Sequence, residues 1–317
     1  MSASRPSAFV VLTLVLTALF SSFAWSEDRA PHTFRVEVSG HGRPMILIPG
    51  LASSGDTWKS TVARYRDRYE CHVLTLAGFA GVPPIEEPLM TAVRAELATY
   101  IRDRKLDHPT IVGHSLGGSL ALAVAVDHPD LVGPLVIVDE VPFLGGTVLQ
   151  ATSPDEARPQ IAAMRSYMSA MTDRQWTEYA KSGESVKYMV TAPSDLATLT
   201  QWSVASDRKT VTEALADVYA LDLREAVAKI RTPVLVLGTW KGIRDQVLAA
   251  AKFDIPRPLF LDTFAAQYAG LPRLHFVLSD AARHFIMFDD PAGYFEQLDA
   301  FLRDPDAAVK VRGLDGK

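Results

Sequence analysis

Ser115 stands in the run Gly113-His114-Ser115-Leu116-Gly117, with Gly118 next, after the apolar "TIV" and ahead of "LALAVAV". A serine hydroxyl is a weak nucleophile by itself. It attacks a carbonyl when a base takes its proton, an acid orients that base, and N–H groups receive the negative charge that forms. G-x-S-x-G between a strand and a helix meets part of this need. Small flanking residues let the chain turn sharply, and the helix start offers unpaired N–H groups and a partial positive charge. The N–H of Leu116 is thereby aimed at a developing oxyanion. A helix-capping serine is the structural alternative.

The base must come from eight histidines. His32, His41, His72, His108, His128 and His275 have no motif around them, and no two histidines stand at metal-ligand spacing with carboxylates, so neither metal nor cofactor is expected. His114 lies inside the serine motif but is expected to point elsewhere, in packing or hydrogen bonding. Cys71, the single cysteine, adjoins "VLTLAGF" and reads as a buried structural thiol.

The elements that would hold these groups follow from periodicity. "TFRVEV" alternates and predicts an edge strand, while "PMILIPG" and "CHVLTLAG" are unbroken apolar runs bounded by Gly or Pro, which suit buried strands. Val93, Leu97 and Ile101 share one helical face. "PTIVGHS", "LGGSLALAVAVDHP" and "LVGPLVIVD" continue as strand, helix, strand, the pattern of a parallel sheet covered on both faces. From Pro142 to Ile230 no strand pattern appears. Met164, Met168, Met171, Trp176, Tyr179, Tyr188, Met189 and Trp202 punctuate helical text instead. Strands resume at "TPVLVLGTW" and "RLHFVLSD", and "PAGYFEQLDAFLRD" closes as a helix. The expected organisation is one α/β core, residues 27–141 and 231–317, with residues 142–230 inserted as a helical cap; a separate helical domain is the alternative. The polar last residues, "PDAAVKVRGLDGK", are expected to fray.

Residues 1–26 differ from the rest. Arg5 precedes "AFVVLTLVLTALFSSFA", and small residues near Ala24 and Ser26 lead into polar "WSEDR". This is the layout of a secretory signal peptide, with an apolar core short of the roughly 20 residues that favour a permanent span. A secreted or periplasmic protein without stable membrane insertion is expected. With 48% hydrophobic and 22% charged residues, a net charge of −5 and no basic stripe, nucleic acid is not an expected partner. Oligomeric state is left open.

Four stretches, "LIPGLASSGDTW", "GHSLGGSLAL", "LVIVDEVPF" and "ARHFIMFDDP", resemble the α/β-hydrolase superfamily over residues 34–303. The likeness is to lipase- or esterase-like members with a helical cap. The resemblance implies an α/β-hydrolase fold with a mostly parallel eight-stranded sheet, helices on both faces, and the order Ser, acid, His. It makes His284 the base. It also implies a second oxyanion donor after "ILIPG", where Pro49-Gly50 replaces the usual His-Gly. The N–H of Leu51 is the match, with Ala52 the next choice. The acid departs from the usual pattern. Most relatives carry it just after the strand that here reads "PVLVLG", but Lys241 stands there and the next acid is Asp245. Other relatives carry it at the preceding strand end, which gives Asp139, with Glu140 beside it.

Serine argues against the epoxide- and halide-displacing relatives, which use Asp as nucleophile. An exported serine hydrolase acting on carboxylic esters of small or medium apolar substrates, through an acyl-enzyme, is the leading expectation. The methionines and aromatics of residues 164–202 would roof the site. A C–C bond hydrolase or a lactonase would use the same residues, and a non-catalytic binding protein is the reading that Lys241 keeps open.

Overall fold

The computed structural model describes residues 32–251, 254–307 and 311–312. The signal peptide expected at residues 1–26 lies outside them. The chain runs β1 (Phe34–Gly40), β2 (Arg43–Ile48), α1 (Lys59–Tyr65), β3 (Tyr69–Leu76), α2 (Leu89–Asp103), β4 (Thr110–His114), α3 (Leu116–Asp127) and β5 (Leu135–Val138). Helices alone follow: α4 (Leu144–Val148), α5 (Pro154–Ala170), α6 (Asp173–Lys181), α7 (Pro193–Val204) and α8 (Arg208–Ala220). The alternation then returns with β6 (Val234–Thr239), α9 (Lys241–Ala251), α10 (Arg257–Ala266), β7 (Leu274–Ser279), α11 (Ile286–Asp289), α12 (Pro291–Arg303) and β8 (Val311–Arg312).

The eight strands form one sheet in the order β1-β3-β2-β4-β5-β6-β7-β8. β1 pairs antiparallel with β3, Phe34 opposite Leu76, and every other pairing is parallel. This is the α/β-hydrolase fold. One expectation is corrected at the end of the chain: Val311 and Arg312, placed in the fraying tail by their polar neighbours, pair with Phe276 and Val277 as the last strand. The free edge of β7 supplies backbone partners that local polarity does not reveal.

The unbroken apolar runs have a simple cause. In β2, Ile46 and Ile48 face one core layer while Met45 and Leu47 face the other, and Ile137 and Val136 divide the same way in β5. A sheet buried on both faces needs apolar side chains at both phases of the strand period. On the first face, α3 is buried without a break from Leu116 to Ala125, because it lies between the sheet and α2 and α8. A helix with no solvent face can be apolar all round. The second face is covered by α1 and α12, through Tyr65, Tyr294 and Leu298. Cys71 is fully buried there, and burial pushes its thiol up to about 11. The inserted helices are joined to this core: Val211, Ala214 and Val218 of α8 belong to the same apolar cluster as Leu116 and Leu120. Among the described residues no helix is long and apolar enough to cross a membrane.

Where α3 passes the end of β2, a Cβ on Gly117 would lie 2.3 Å from the carbonyl oxygen of Ile48 and 2.7 Å from that of Pro49. Both obstacles are backbone, so they cannot swing aside. Gly117→Ala should therefore destabilise the fold by about 2 kcal/mol or more, the usual range for overpacking. Gly270, whose nearest neighbour to an added Cβ is 3.4 Å away, should tolerate alanine within about 0.5 kcal/mol. Urea unfolding of the two variants checks this: the midpoint of Gly117→Ala should drop while that of Gly270→Ala stays near wild type.

Candidate active site

Ser115 occupies the bend between β4 and α3 at φ 52°, ψ −125°. That backbone region is rare for a residue with a side chain and costs of order 1–3 kcal/mol. The surroundings over-determine it. The Ser115 N–H donates to Val138 O at 2.9 Å, and its carbonyl accepts from Gly118 N at 2.6 Å and Ser119 N at 3.1 Å. A Cβ on Gly113 would meet Gly117 O at 2.2 Å, so the strand end and the first helical turn approach this closely only because residue 113 is glycine.

Asp139 follows β5 and also takes positive φ, 50°. Its N–H donates to Leu237 O at 2.7 Å, which ties it to β6. Its Oδ1 accepts from Thr239 N at 2.8 Å, and its Oδ2 stands 2.6 Å from Nδ1 of His284. The carboxyl is almost buried, 6% exposed, and the imidazole 23%. Burial pushes the Asp139 carboxyl up, while the His284 ring and the Thr239 N–H pull it back. With Nδ1 held by the acid, Nε2 is the nitrogen left to exchange a proton.

The other acids go elsewhere. Asp245 sits in α9 and binds Arg283 through Oδ2, at 3.0 Å from Nη2 and 3.3 Å from Nε. Glu140 is buried, and its Oε1 accepts from its neighbour Val141 N at 3.0 Å. Burial pushes the Glu140 carboxyl up to about 7.

Leu51 and Leu116 line the same cavity as Ser115, Asp139 and His284, as does Ala52. Leu116 opens α3, so its N–H has no carbonyl one turn earlier to bond to. Gly50 brings the neighbouring loop against the serine: a Cβ there would lie 3.2 Å from Ser115 Cβ and 2.9 Å from His114 Nδ1. The cavity has a volume of about 560 Å³. Of the methionines and aromatics named from the inserted segment, all but Trp202 line it. Trp202 packs instead against the apolar layer that contains Leu199 and Phe285. Among the described residues no three His, Cys, Asp or Glu side chains gather as metal ligands would.

The packing and hydrogen bonding expected of His114 find their partners here, and the roles of Arg283 and Asp289 escaped sequence reasoning. His114, set inside the serine motif, packs its ring on His284 and Phe285 at centroid distances of 4.5 and 4.3 Å. Its Nε2–H donates to the backbone oxygen of His284 at 3.1 Å, and burial holds the ring neutral, well below its ordinary pKa. Arg283 and Asp289 flank His284 and tie its loop to the inserted segment. The stretch "ARHFIMFDDP" contained both, but apart from their bond to each other their partners lie some 40 to 100 residues away in sequence.

The pattern of the alpha/beta hydrolase family matches residues 45–297. The chain is 24% identical over 270 residues to N-formylmaleamate deformylase of Pseudomonas putida, an alignment covering 84% of this chain and 91% of that one. In fold it is similar to the enol-lactonase of Burkholderia xenovorans, with a TM-score of 0.65 at 15% identity over 86% of this chain and 96% of that one. It is likewise similar to an esterase of Exiguobacterium antarcticum, with a TM-score of 0.66 at 16% identity over 85% and 95%.

Glu140 makes stability depend on pH. The folded carboxyl keeps its proton up to about pH 7, the unfolded one only to about its ordinary value of 4.5. Between these limits the folded state binds more protons, so stability falls as pH rises, and the loss is complete above the folded value. Glu140→Gln keeps an oxygen for Val141 N and has no proton to lose. Its melting temperature should exceed wild type at pH 8, by the equivalent of about 3 kcal/mol at most, and converge with wild type below pH 4.5. Calorimetry at the two pH values reads the difference.

Proposed function

The chain belongs to the alpha/beta hydrolase family, and on that premise we propose that it is an exported serine hydrolase cleaving carboxylic esters whose acyl or alcohol group is small or medium and apolar. The carrying observation is the 2.6 Å contact between His284 Nδ1 and Asp139 Oδ2, on the wall of the cavity that Ser115 also lines. In this reading His284 Nε2 takes the proton of Ser115 as Oγ attacks the ester carbonyl. The N–H groups of Leu51 and Leu116 receive the oxyanion, each such donor being worth about 3–4 kcal/mol in the transition state. Collapse of the tetrahedral adduct breaks the bond to the alcohol oxygen, and the imidazolium returns its proton to that leaving group. Water, activated by the same ring, then attacks the acyl-enzyme and frees the acid and Ser115. Asp139 holds the Nδ1–H tautomer and stabilises the imidazolium.

The cavity supports the apolar substrate. Met164, Met168, Met171 and Met189 are unbranched and adapt to ligand shape. In this reading α4–α8 act as a cap over Ser115. One relative is named an N-formylmaleamate deformylase and one protein of similar fold an enol-lactonase; a serine nucleophile, base and oxyanion donors could serve such acyl transfers too, so an enol lactone and an N-formyl amide belong in the substrate panel. Export rests on residues 1–26, with a mature N-terminus near Glu27.

A fluorophosphonate probe should label the wild type at Ser115 and leave Ser115→Ala unlabelled. With p-nitrophenyl esters, kcat/KM should rise from acetate to hexanoate by about fourfold per methylene, from roughly 0.8 kcal/mol per buried CH₂. Asp139→Asn should cut kcat by about 10⁴ with melting temperature retained. No turnover on any acyl substrate together with no labelling would end the enzyme reading. Separately, mass spectrometry of exported protein should find the chain starting near Glu27; an intact Met1 would refute export by a cleaved signal.

A further inference from the structure

Three segments meet beside His284. Residues 187–191 join α6 to α7, residues 283–289 carry the histidine, and α9 begins at Lys241. A Cβ on Gly242 of α9 would stand 3.4 Å from Tyr188 O and 3.5 Å from His284 N, which measures how tightly the three converge. The first two are stitched along their backbones. Phe285 N–H donates to Met189 O at 3.1 Å. Asp289 accepts from Thr191 N at 2.8 Å and Thr191 Oγ1 at 2.7 Å through Oδ1, and from Arg283 N at 2.8 Å through Oδ2. Arg283 spans all three. Its Nη1 donates to Val190 O at 2.8 Å and Lys187 O at 3.3 Å, while Nε and Nη2 engage Asp245. Both side chains are only 22% exposed.

The donor geometry matters more than the charge. A guanidinium presents fixed, divergent N–H groups, so one side chain can hold two carbonyls on one segment and a carboxylate on another. A lysine ammonium is a single point on a flexible stem and cannot span both sets. Tyr188 and Met189, from the stitched segment, line the substrate cavity.

We infer that Arg283, with Asp245 as its counter-ion, is a positioning residue that latches residues 187–191 onto the loop carrying His284, so that the cavity wall and the imidazole move as one body. Its catalytic readout rests on the serine hydrolase reading above. The acid at the sequence position usual for the family thereby acts on the residue next to the histidine, not on the histidine. An acyl group packed against Tyr188 and Met189 bears, through this latch, on the placement of the base. Loss of the latch lets His284 drift, and an ångström of drift costs on the order of 10²-fold in rate.

The experiment compares Arg283→Ala, Arg283→Lys and Asp245→Asn with wild type by amide hydrogen exchange and by kcat per active site, the sites being counted by fluorophosphonate titration. Exchange is expected to rise together in residues 187–191 and 283–289 in both Arg283 variants, with residues 110–120 unchanged. kcat per titrated site is expected to fall 10- to 100-fold, more for hexanoate than for acetate, without rescue by lysine. Asp245→Asn, which keeps its volume, should give a smaller change of the same kind and serves if Arg283→Ala does not fold. Exchange rising in one segment only, or full rescue by lysine, would overturn the latch. The exchange arm needs no turnover, so a wild type inactive on every acyl substrate and unlabelled by the probe would sink the serine hydrolase reading while leaving the latch to stand or fall on exchange alone.

Discussion

The bend at Ser115 is the constraint on which the rest depends. The chain must leave β4 and start α3 within one residue, at a positive φ that a serine does not choose. The turn is closed by contacts that exclude a single methyl group, Gly113 against Gly117 O and Gly117 against Ile48 O. Its strain, of order 1–3 kcal/mol, is small beside the burial of the helix that it starts. Leu120, Leu122 and Val124 of α3 are fully buried, and each such side chain contributes roughly 1.5–3 kcal/mol. The helix that presents the serine is therefore also the central helix of the core, and that burial offsets the cost of the bend.

The polar groups around the bend share an electrostatic problem. His114 is completely buried, and Asp139 and Glu140 are almost so. Charge is costly there unless it is matched. Asp139 has its match in the His284 ring and the Thr239 N–H, on separate oxygens. Glu140, with a neighbouring N–H and no cation of its own, is pushed toward its neutral form. His114 stays neutral and spends its Nε2–H on the backbone of His284. Burial thus pushes two adjacent carboxyls in the same direction, and the one hydrogen-bonded to an imidazole is the one at the strand tip.

Asp139 and Asp245 meet different partners, the His284 ring and the Arg283 guanidinium. β6 ends at Thr239, whose N–H points at Asp139, and the chain turns almost at once into α9. This leaves Asp245 on the helix, facing Arg283. Arg283 also donates to the carbonyls of Lys187 and Val190, between α6 and α7, beside the cavity that Tyr188 and Met189 line. Apolar walls from α5 and α6 and the polar floor at the strand ends give the site two chemically different halves.

Much of this was legible in the amino-acid sequence. Strand and helix order follow from local periodicity, and the serine bend from two glycines at fixed offsets, because both signals lie within a few residues. The helical text of residues 142–230 likewise marks an interruption between β5 and β6. Other features needed the folded chain. Sequence left Asp139 and Asp245 as rivals, since either could reach a histidine some 40 or 145 residues away; the register of β5 beside β6 carries Asp139 to His284 Nδ1, and Arg283 engages Asp245. The pairing of Val311 with β7, the ring of His114 against His284 and the three-way grip of Arg283 had no local signature. The physical reason is range: dihedral preference and burial period act between neighbours in sequence, whereas hydrogen bonds and ion pairs join whatever the packed layers bring within about 3 Å.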